Sequence, residues 1–427
     1  YHLAALYNIV LPIGVYYMGK SILSKRPTGY GQGDASDINP GLKKYKNIII
    51  KILGGEFVIN PLVVSLLIGG VLFLIGFSPL ILHFISPGFD VIYDSTISGG
   101  SPLVVTTDAQ SYAGTPKFAL QQYQMSKSKD AAKIGTMLGP YGVGATILSL
   151  TIPLSIAFAV GLFYKFKSKN VIKIRENTKS LEKEFASALF QLGNRLADGL
   201  PAEIAFDKVA NTMENTVSGS FFKAISANIR RLGMGVEEAI FNPRKGALLA
   251  FPSNIIESSM KVMVESARKG PIIASKAVLS VSKYIKEIHR VNERLKDLMA
   301  DIISSMKSQI AFLTPVISGI VIGITSMVSA IISKLSSNIA KTTATAPGGA
   351  AQATTVAAMF GDTIPTFYFQ LIVGFYVVQI VYIMTILANG IENGEDRLNE
   401  EFMVGNSLIS STRLYVITSL VIILIFN

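Results

Sequence analysis

Residues 14–21 read GVYYMGKS, a full match to the phosphate-loop pattern G-x-x-x-x-G-K-[ST]. That chemistry needs backbone N–H groups converging on phosphates, followed by a helix whose N-terminus faces them. Here the variable positions are Val15, Tyr16, Tyr17 and Met18, bulky and mostly apolar, and Pro27 ends any helix soon after Ser21. The segment reads better as the end of a membrane span, with Lys20 reaching out to the interface. Nucleotide binding at Lys20 is the distant alternative.

Other reactive groups are sparse. His2, His83 and His289 are far apart, on different predicted elements, and have no metal-ligand spacing. The chain has no cysteine, which excludes disulfides, thiolate catalysis and cysteine-ligated zinc. Neither G-x-S-x-G nor H-E-x-x-H occurs. The neighbours Glu237–Glu238 and Glu400–Glu401 would point to different faces of a helix, so neither forms a paired-carboxylate site. No catalytic residue, cofactor or metal is expected, and the chain is not read as an enzyme.

The elements that would position such groups are mostly membrane helices. Mean hydropathy is +0.45 and 16% of the 427 residues are charged, against about 25% in soluble proteins. Six apolar stretches without Asp, Glu, Lys or Arg stand out: 3–19, 57–85, 138–164, 309–332, 366–389 and 414–426. About 20 such residues cross a bilayer, which predicts an all-α polytopic membrane protein with about six spans. Pro61 and Pro79 predict a tilted or kinked helix in the long second stretch. Tyr1 and the short last stretch suggest a chain that starts within a longer protein and stops within a span.

Charge orients these spans. Of 39 Lys and Arg, 24 lie in residues 165–308 together with 15 of the 28 acidic residues, a local net of +9, and 7 lie in residues 20–56. Basic loops stay in the cytoplasm, so both segments are expected there; membrane proximity accounts for the charge without nucleic acid. Parity then places 86–137 and 333–365 outside and 390–413 inside, although 390–413 is itself rich in acids. The first loop reads as irregular and exposed, and 341–358 as small and flexible.

Four units follow: 1–56, a first span and basic cytoplasmic linker; 57–164, two spans around an external loop; 165–308, a cytoplasmic antiparallel helical bundle; and 309–427, about three spans. Within the third, Leu181, Phe185, Leu189, Leu192 and Leu196 recur at helical spacing. Gly199 suits the end of that helix and Pro201 the first turn of the next. Ala205, Val209 and Met213 mark a second helix, Phe221, Ile225, Ile229 and Leu232 a third, and Ile256, Met260, Met263, Val264 and Ala267 a fourth. After Gly270 and Pro271, a fifth carries the stripe Tyr284, Ile288, Val291, Leu295, Leu298, Ile302, Met306. It is expected to run unbroken into the span near Gln309, as a lever.

The unit 165–308 resembles the type II secretion F domain of membrane platform proteins in pilus, secretion and archaellum machines. The matching residues begin at Phe185 in FASALFQLGNRLADGLPAEIAF, with Gly199 in its Ala-Asp-Gly helix end. They continue through Gly235-Val-Glu-Glu-Ala239 to Glu265-Ser-Ala-Arg-Lys-Gly270, where Val264 stands in place of the family's leading glycine. The number of spans looks most like the archaeal members, which often carry a second F domain.

The resemblance implies a non-enzymatic platform in the cytoplasmic membrane, a homodimer among its assembly states. Its implied partners are a hexameric secretion ATPase, pilin or archaellin subunits, and the lipid bilayer. Arg230, Arg231, Arg244, Lys245, Arg268 and Lys269 are the expected ATPase- or lipid-facing residues. The alternative is a transporter for a neutral solute, although the spans hold none of the ionisable residues that ion-coupled transport uses. Pro153 and Pro315 would break helices in that reading.

Overall fold

The structure is a computed structural model that describes residues 2–24, 47–52, 55–93, 103–106, 118–125, 137–344, 365–394 and 396–426. Most of the linker predicted within 20–56, much of the loop 86–137 and most of 341–358 lie outside the described residues. The chain opens with a helical stretch, His2–Ala5, a π turn at Leu6–Val10, and α1 (Leu11–Ser24). A hairpin of β1 (Ile48–Ile52) and β2 (Gly55–Ile59) leads into α2 (Pro61–Ile85). Five short strands follow: β3 (Asp90–Tyr93), β4 (Leu103–Thr106), β5 (Phe118–Ala119), β6 (Gln124–Met125) and β7 (Met137–Leu138). They form a β4-β3-β5 sheet and a β6-β7 pair, all antiparallel. Next come α3 (Val143–Ser149), α4 (Thr151–Ala197), α5 (Ala202–Thr212), α6 (Val217–Leu232), α7 (Val236–Phe241) and α8 (Asn254–Ala267). The rest is α9 (Pro271–Leu298), α10 (Ala300–Ser308), a π turn at Gln309–Leu313, α11 (Thr314–Ala344), α12 (Thr366–Asn393) and α13 (Arg397–Phe426).

Among the described residues, five helical segments are long and apolar enough to cross a membrane: 61–85, 143–197, 300–332, 366–393 and 397–425. The chain is therefore a multi-pass, predominantly helical membrane protein. Its spans pack by a rule opposite to that of a soluble core. On α2 the buried residues are Pro61, Ser65, Gly69, Gly76 and Pro79, while Leu62, Leu66, Leu67 and Leu74 face outward. Large apolar groups gain nothing by leaving lipid, so close backbone approach at small residues supplies the attraction. A Cβ at Gly69 would stand 2.7 Å from the Ala159 Cβ of α4, and one at Gly405 of α13 2.8 Å from the Lys165 backbone nitrogen. Gly319 and Gly323 of α11 meet Thr418 and Ile422 of α13 in the same way.

The first apolar stretch, 3–19, lies along α12. Tyr7 stacks edge-on to Tyr376 at 5.4 Å, and glycines at 19 and 390 admit Leu387 and Leu23 respectively. Both helices thus run in the same direction, over nearly the length of a span.

The second hydrophobic core belongs to 181–285. Leu181, Phe185, Leu189, Leu192 and Leu196 of α4 are all buried, with Ala205, Phe206 and Val209 of α5, Phe221, Phe222 and Ile225 of α6, and Ile256, Met260 and Met263 of α8. α9 runs antiparallel to α4: Ser275 Oγ donates to the Gly193 carbonyl at 2.7 Å and Ser282 Oγ to the Ala186 carbonyl at 2.6 Å. Residues Ala202–Ala267 fill the remaining sides of this pair.

Several sequence expectations change. The second span starts at Pro61, not 57, because residues 57–59 pair in β2. Pro61 opens α2 rather than kinking it, with the Asn60 Oδ1 accepting the Leu62 N–H at 3.0 Å. The loop 86–137 is not irregular throughout: buried Asp90 accepts the backbone N–H groups of Val91, Gln121 and Gln122, which holds the β3 sheet together. The boundary at 164/165 falls inside α4, a single helix of 47 residues that continues from apolar into charged sequence. Pro201 caps α5 rather than entering its first turn, and Gly235-Val-Glu-Glu-Ala239 opens the short helix α7. Pro153 sits in the first turn of α4, where a missing N–H costs no helical bond, whereas Pro315 follows the π turn at Gln309–Leu313 inside the helical segment 300–332. α13 begins at Arg397, so the last span is far longer than 414–426.

The lever helix is not unbroken. It is interrupted at Met299 (φ −101°, ψ 2°) and again by the π turn at Gln309–Leu313. Much of its apolar stripe is not a packing face either, although Met306 packs on the core of the membrane helices. Val291, Leu298 and Ile302 are 56%, 74% and 40% exposed, because α4 takes the face of Ala274, Ser275, Val278, Ser282 and Ile285.

Candidate functional site

Where α4 leaves its apolar half it carries Lys167, Arg175, Lys179 and Glu182, spaced to share one side of the helix. The turn between α12 and α13 meets that side with the opposite charge. Lys167 Nζ lies 2.6 Å from Glu401 Oε1, and Lys179 Nζ donates to Asn393 Oδ1 at 2.9 Å. Arg175 sits between two carboxylates, with Nε 3.2 Å from Asp396 Oδ2 and Nη1 3.6 Å from Glu182 Oε2. The side chains of Arg175 and Asp396 are only 11% and 7% exposed, so this is a buried ion pair.

Amides complete the junction. Asn389, fully buried, donates to the Asp396 carbonyl at 3.2 Å and accepts from Asn399 Nδ2 at 2.7 Å. The Asp396 carboxylate also accepts the Asn399 N–H at 3.2 Å, in a cap at the start of α13. From the other side Lys307 of α10 reaches Glu392 at 2.7 Å. Three membrane helices are thereby tied to the root of the helical body. The acid-rich segment 390–413 meets the basic stretch of α4, so both begin on the same side of the membrane.

Two carboxylates of α4 then set the outer helices. Ser253, the cap of α8, donates from Oγ to Glu182 Oε1 at 2.6 Å, and the Ser218 N–H at the start of α6 donates to Glu184 Oε2 at 3.3 Å. Both helices therefore start at one level of α4, with their positive dipole ends on acids. With 16 and 14 residues, they rise ~24 and ~21 Å at 1.5 Å per residue. That carries their C-termini to the far end of α4.

The six basic residues expected to face a partner gather at that end. Arg230 and Arg231 close α6, Arg268 and Lys269 close α8, and Arg244 and Lys245 lie in the turn after α7. Asn242 Oδ1 fixes this turn by accepting the N–H groups of Arg244 and Lys245, while Asn228 Nδ2 donates to the Ala239 and Lys245 carbonyls. The six are not equivalent. Arg230 pairs with Asp207 at 2.8 Å, and Arg268 with Glu237 at 2.6 Å and Glu265 at 3.5 Å. Among the described residues Arg231, Arg244, Lys245 and Lys269 form no ion pair and are exposed.

Of the motif positions, all but Phe185 fall around this tip. Phe185 lies in the aromatic core against Phe221 and Phe222. Gly199 (φ 79°) and Gly270 (φ 110°) take left-handed backbone that ends α4 and precedes α9. Gly235 precedes α7 in extended backbone, and Glu265 is occupied with Arg268.

The phosphate-loop match has no loop geometry. Residues 14–21 are helical within α1, and Gly19 serves to admit Leu387. His83 stacks on Tyr123 at 3.6 Å. His289 is held below its ordinary pKa of 6.5, chiefly by burial and further by Lys183, against the opposing pull of Glu182 and Glu293. Among the described residues no group of three His, Cys, Asp or Glu could hold a metal ion.

Sequence reasoning missed the junction, although an acid-rich turn between two spans and a basic stretch after another were both visible. It also missed the polar pairs Thr146–Thr366, at 2.8 Å, and Ser149–Gln370, buried between α3 and α12. Comparison with family models, curated proteins and solved structures finds no match for this chain.

Proposed function

We propose that this chain is the membrane platform of a pilus-like or archaellum assembly machine. In this reading 165–308 is a cytoplasmic bundle that receives the motion of a hexameric secretion ATPase. The spans pass that motion to pilin-like subunits leaving the bilayer. The observation that carries the reading is α4, one helix from Thr151 in the spans to Ala197 at the basic tip. A helix of that kind transmits displacement with no flexible loop between, and the Arg175–Asp396 junction makes α12 and α13 move with it.

The tip supports a protein partner rather than lipid. From Tyr164 to Ala197, α4 extends ~50 Å beyond its apolar half, several times the ~8 Å screening length of physiological salt. Anionic lipid of the same membrane is too far to attract Arg231, Arg244, Lys245 and Lys269, whereas an acidic protein surface matches them. The resemblance of 185–270 to the F domain supplies the identity of the machine.

The test is genetic and structural. Removing the gene should abolish the filament, and the wild-type chain should restore it. A variant with two glycines inserted after Lys169, in the exposed part of α4, should insert in the membrane yet fail to restore it. Full restoration by that variant would remove the mechanical reading. Uptake of a neutral solute by purified chain in vesicles would favour the transporter instead.

A further inference from the structure

Between the first turns of α8 and the middle of α9 lies a cavity of about 120 Å³, partly open to solvent. Each helix presents positions i, i+1, i+4 and i+5 to it, counted from Asn254 on α8 and from Tyr284 on α9. That is the spacing of one helix face. Ile255, Tyr284, Ile285 and Ile288 make a mostly apolar wall.

The polar edge of the cavity has hydrogen bonds to spare. Among the described residues, the side chains of Asn254, Ser258 and His289 form none, whereas Ser259 Oγ is taken by the Ile255 carbonyl at 2.6 Å. Burial, with Lys183 adding to it, holds His289 below its ordinary pKa against the pull of Glu182 and Glu293. Its ring is therefore neutral near pH 7 and offers one donor and one acceptor. That suits a hydroxyl group rather than a carboxylate or an ammonium.

Lipid does not reach this cavity. His289 lies 20 residues before Gln309, where the charge-free segment begins. That is ~30 Å of helix, against a headgroup layer of about 5–8 Å per leaflet. Nucleotides and other drug-sized ligands are too large, since their sites start at about 300 Å³. A single ring fits, because an engineered apolar cavity of about 150 Å³ takes up benzene.

We propose that this cavity binds a small neutral molecule of the phenol class, with Ile285 and Ile288 against its ring and His289 bonding its hydroxyl. The site does not depend on which machine the chain serves. It adjoins the ionic junction, because Ser253, next to Asn254, holds Glu182, which also pairs with Arg175. An occupant would sit where α8 is anchored on α4.

The absence of cysteine makes the site addressable. Ser258→Cys, at the cavity edge, and Ser220→Cys, exposed on α6 as a control, are made singly in the full chain. Each purified protein is incubated under excess mercaptoethanol with equal amounts of disulfides ending in phenol, phenyl or carboxylate. Intact mass then reports which group is retained. At position 258 the expected order is phenol, phenyl, carboxylate, with phenol about fivefold over phenyl, the worth of one hydrogen bond. No preference is expected at position 220. Adding His289→Phe to Ser258→Cys should bring phenol down to the phenyl level, while phenyl retention, which needs the folded cavity, persists. Equal retention of all three at position 258, the same order at position 220, or a phenol preference that survives His289→Phe overturns the proposal.

Discussion

At the scale of residues, Arg175 is the group whose surroundings matter most. It is buried between Asp396 and Glu182, and removing one member of a buried pair leaves a charge without compensation. Because Glu182 remains, Asp396→Asn should destabilise by about 3 kcal/mol, the low end for such a pair. Thermal unfolding in detergent measures this, and an unchanged melting temperature would show that the junction bears no strain. His289 gives a pH signature. Its folded pKa lies below the unfolded 6.5, so the unfolded chain takes up the proton first as pH falls. The stability it contributes is complete above about pH 6.5 and is lost as pH falls toward the folded value. The melting temperature should therefore drop between pH 7 and pH 5, and His289→Gln should flatten that part of the profile. The buried stripe Leu181–Leu196 was legible because one amphipathic helix displays its own period. Arg175 and Asp396 were not, since they lie 221 residues apart and only the packing of α4 against α13 brings them together.

At the scale of elements, two packing rules operate in one chain, and α4 obeys both. Its first half is held at Gly161 and by the glycines of α2 and α13, while its second half buries large apolar side chains. Gly405→Leu should separate α13 from α4, because the new side chain would meet the Lys165 nitrogen and the Gly161 carbonyl, which cannot move aside. The expected result is loss of folded protein on size exclusion in detergent. Gly70→Ala, which meets nothing within 4 Å, should instead gain about 0.5–1 kcal/mol from reduced chain entropy. Equal outcomes for the two would contradict glycine-mediated packing. Sequence periodicity located the spans but misplaced their ends at Pro61, Arg397 and the 164/165 boundary. Hydropathy reports where charge begins, whereas a helix continues until a cap or proline stops it.

At the scale of the whole molecule, the chain joins a lipid-packed half to a water-packed half through α4, through α9 and α10, and through one ionic junction. The helical character and the multi-pass arrangement were readable from composition, which gave six apolar stretches where five helical segments among the described residues are long and apolar enough to span. The convergence of Arg230, Arg231, Arg244, Lys245, Arg268 and Lys269 on one end was not, because it depends on α6 and α8 starting together at Glu184 and Glu182. Their separation into two paired and four unpaired cations also needed the fold. The account's central claim is that this tip receives force from an ATPase and that α4 carries it to the spans. The measurement closest to that claim is retention of a hexameric ATPase by the full chain purified from its native membrane. Arg231→Glu together with Lys269→Glu should lose the ATPase while the melting temperature stays unchanged. Undiminished retention by that variant, or no ATPase with the wild-type chain, would contradict the account.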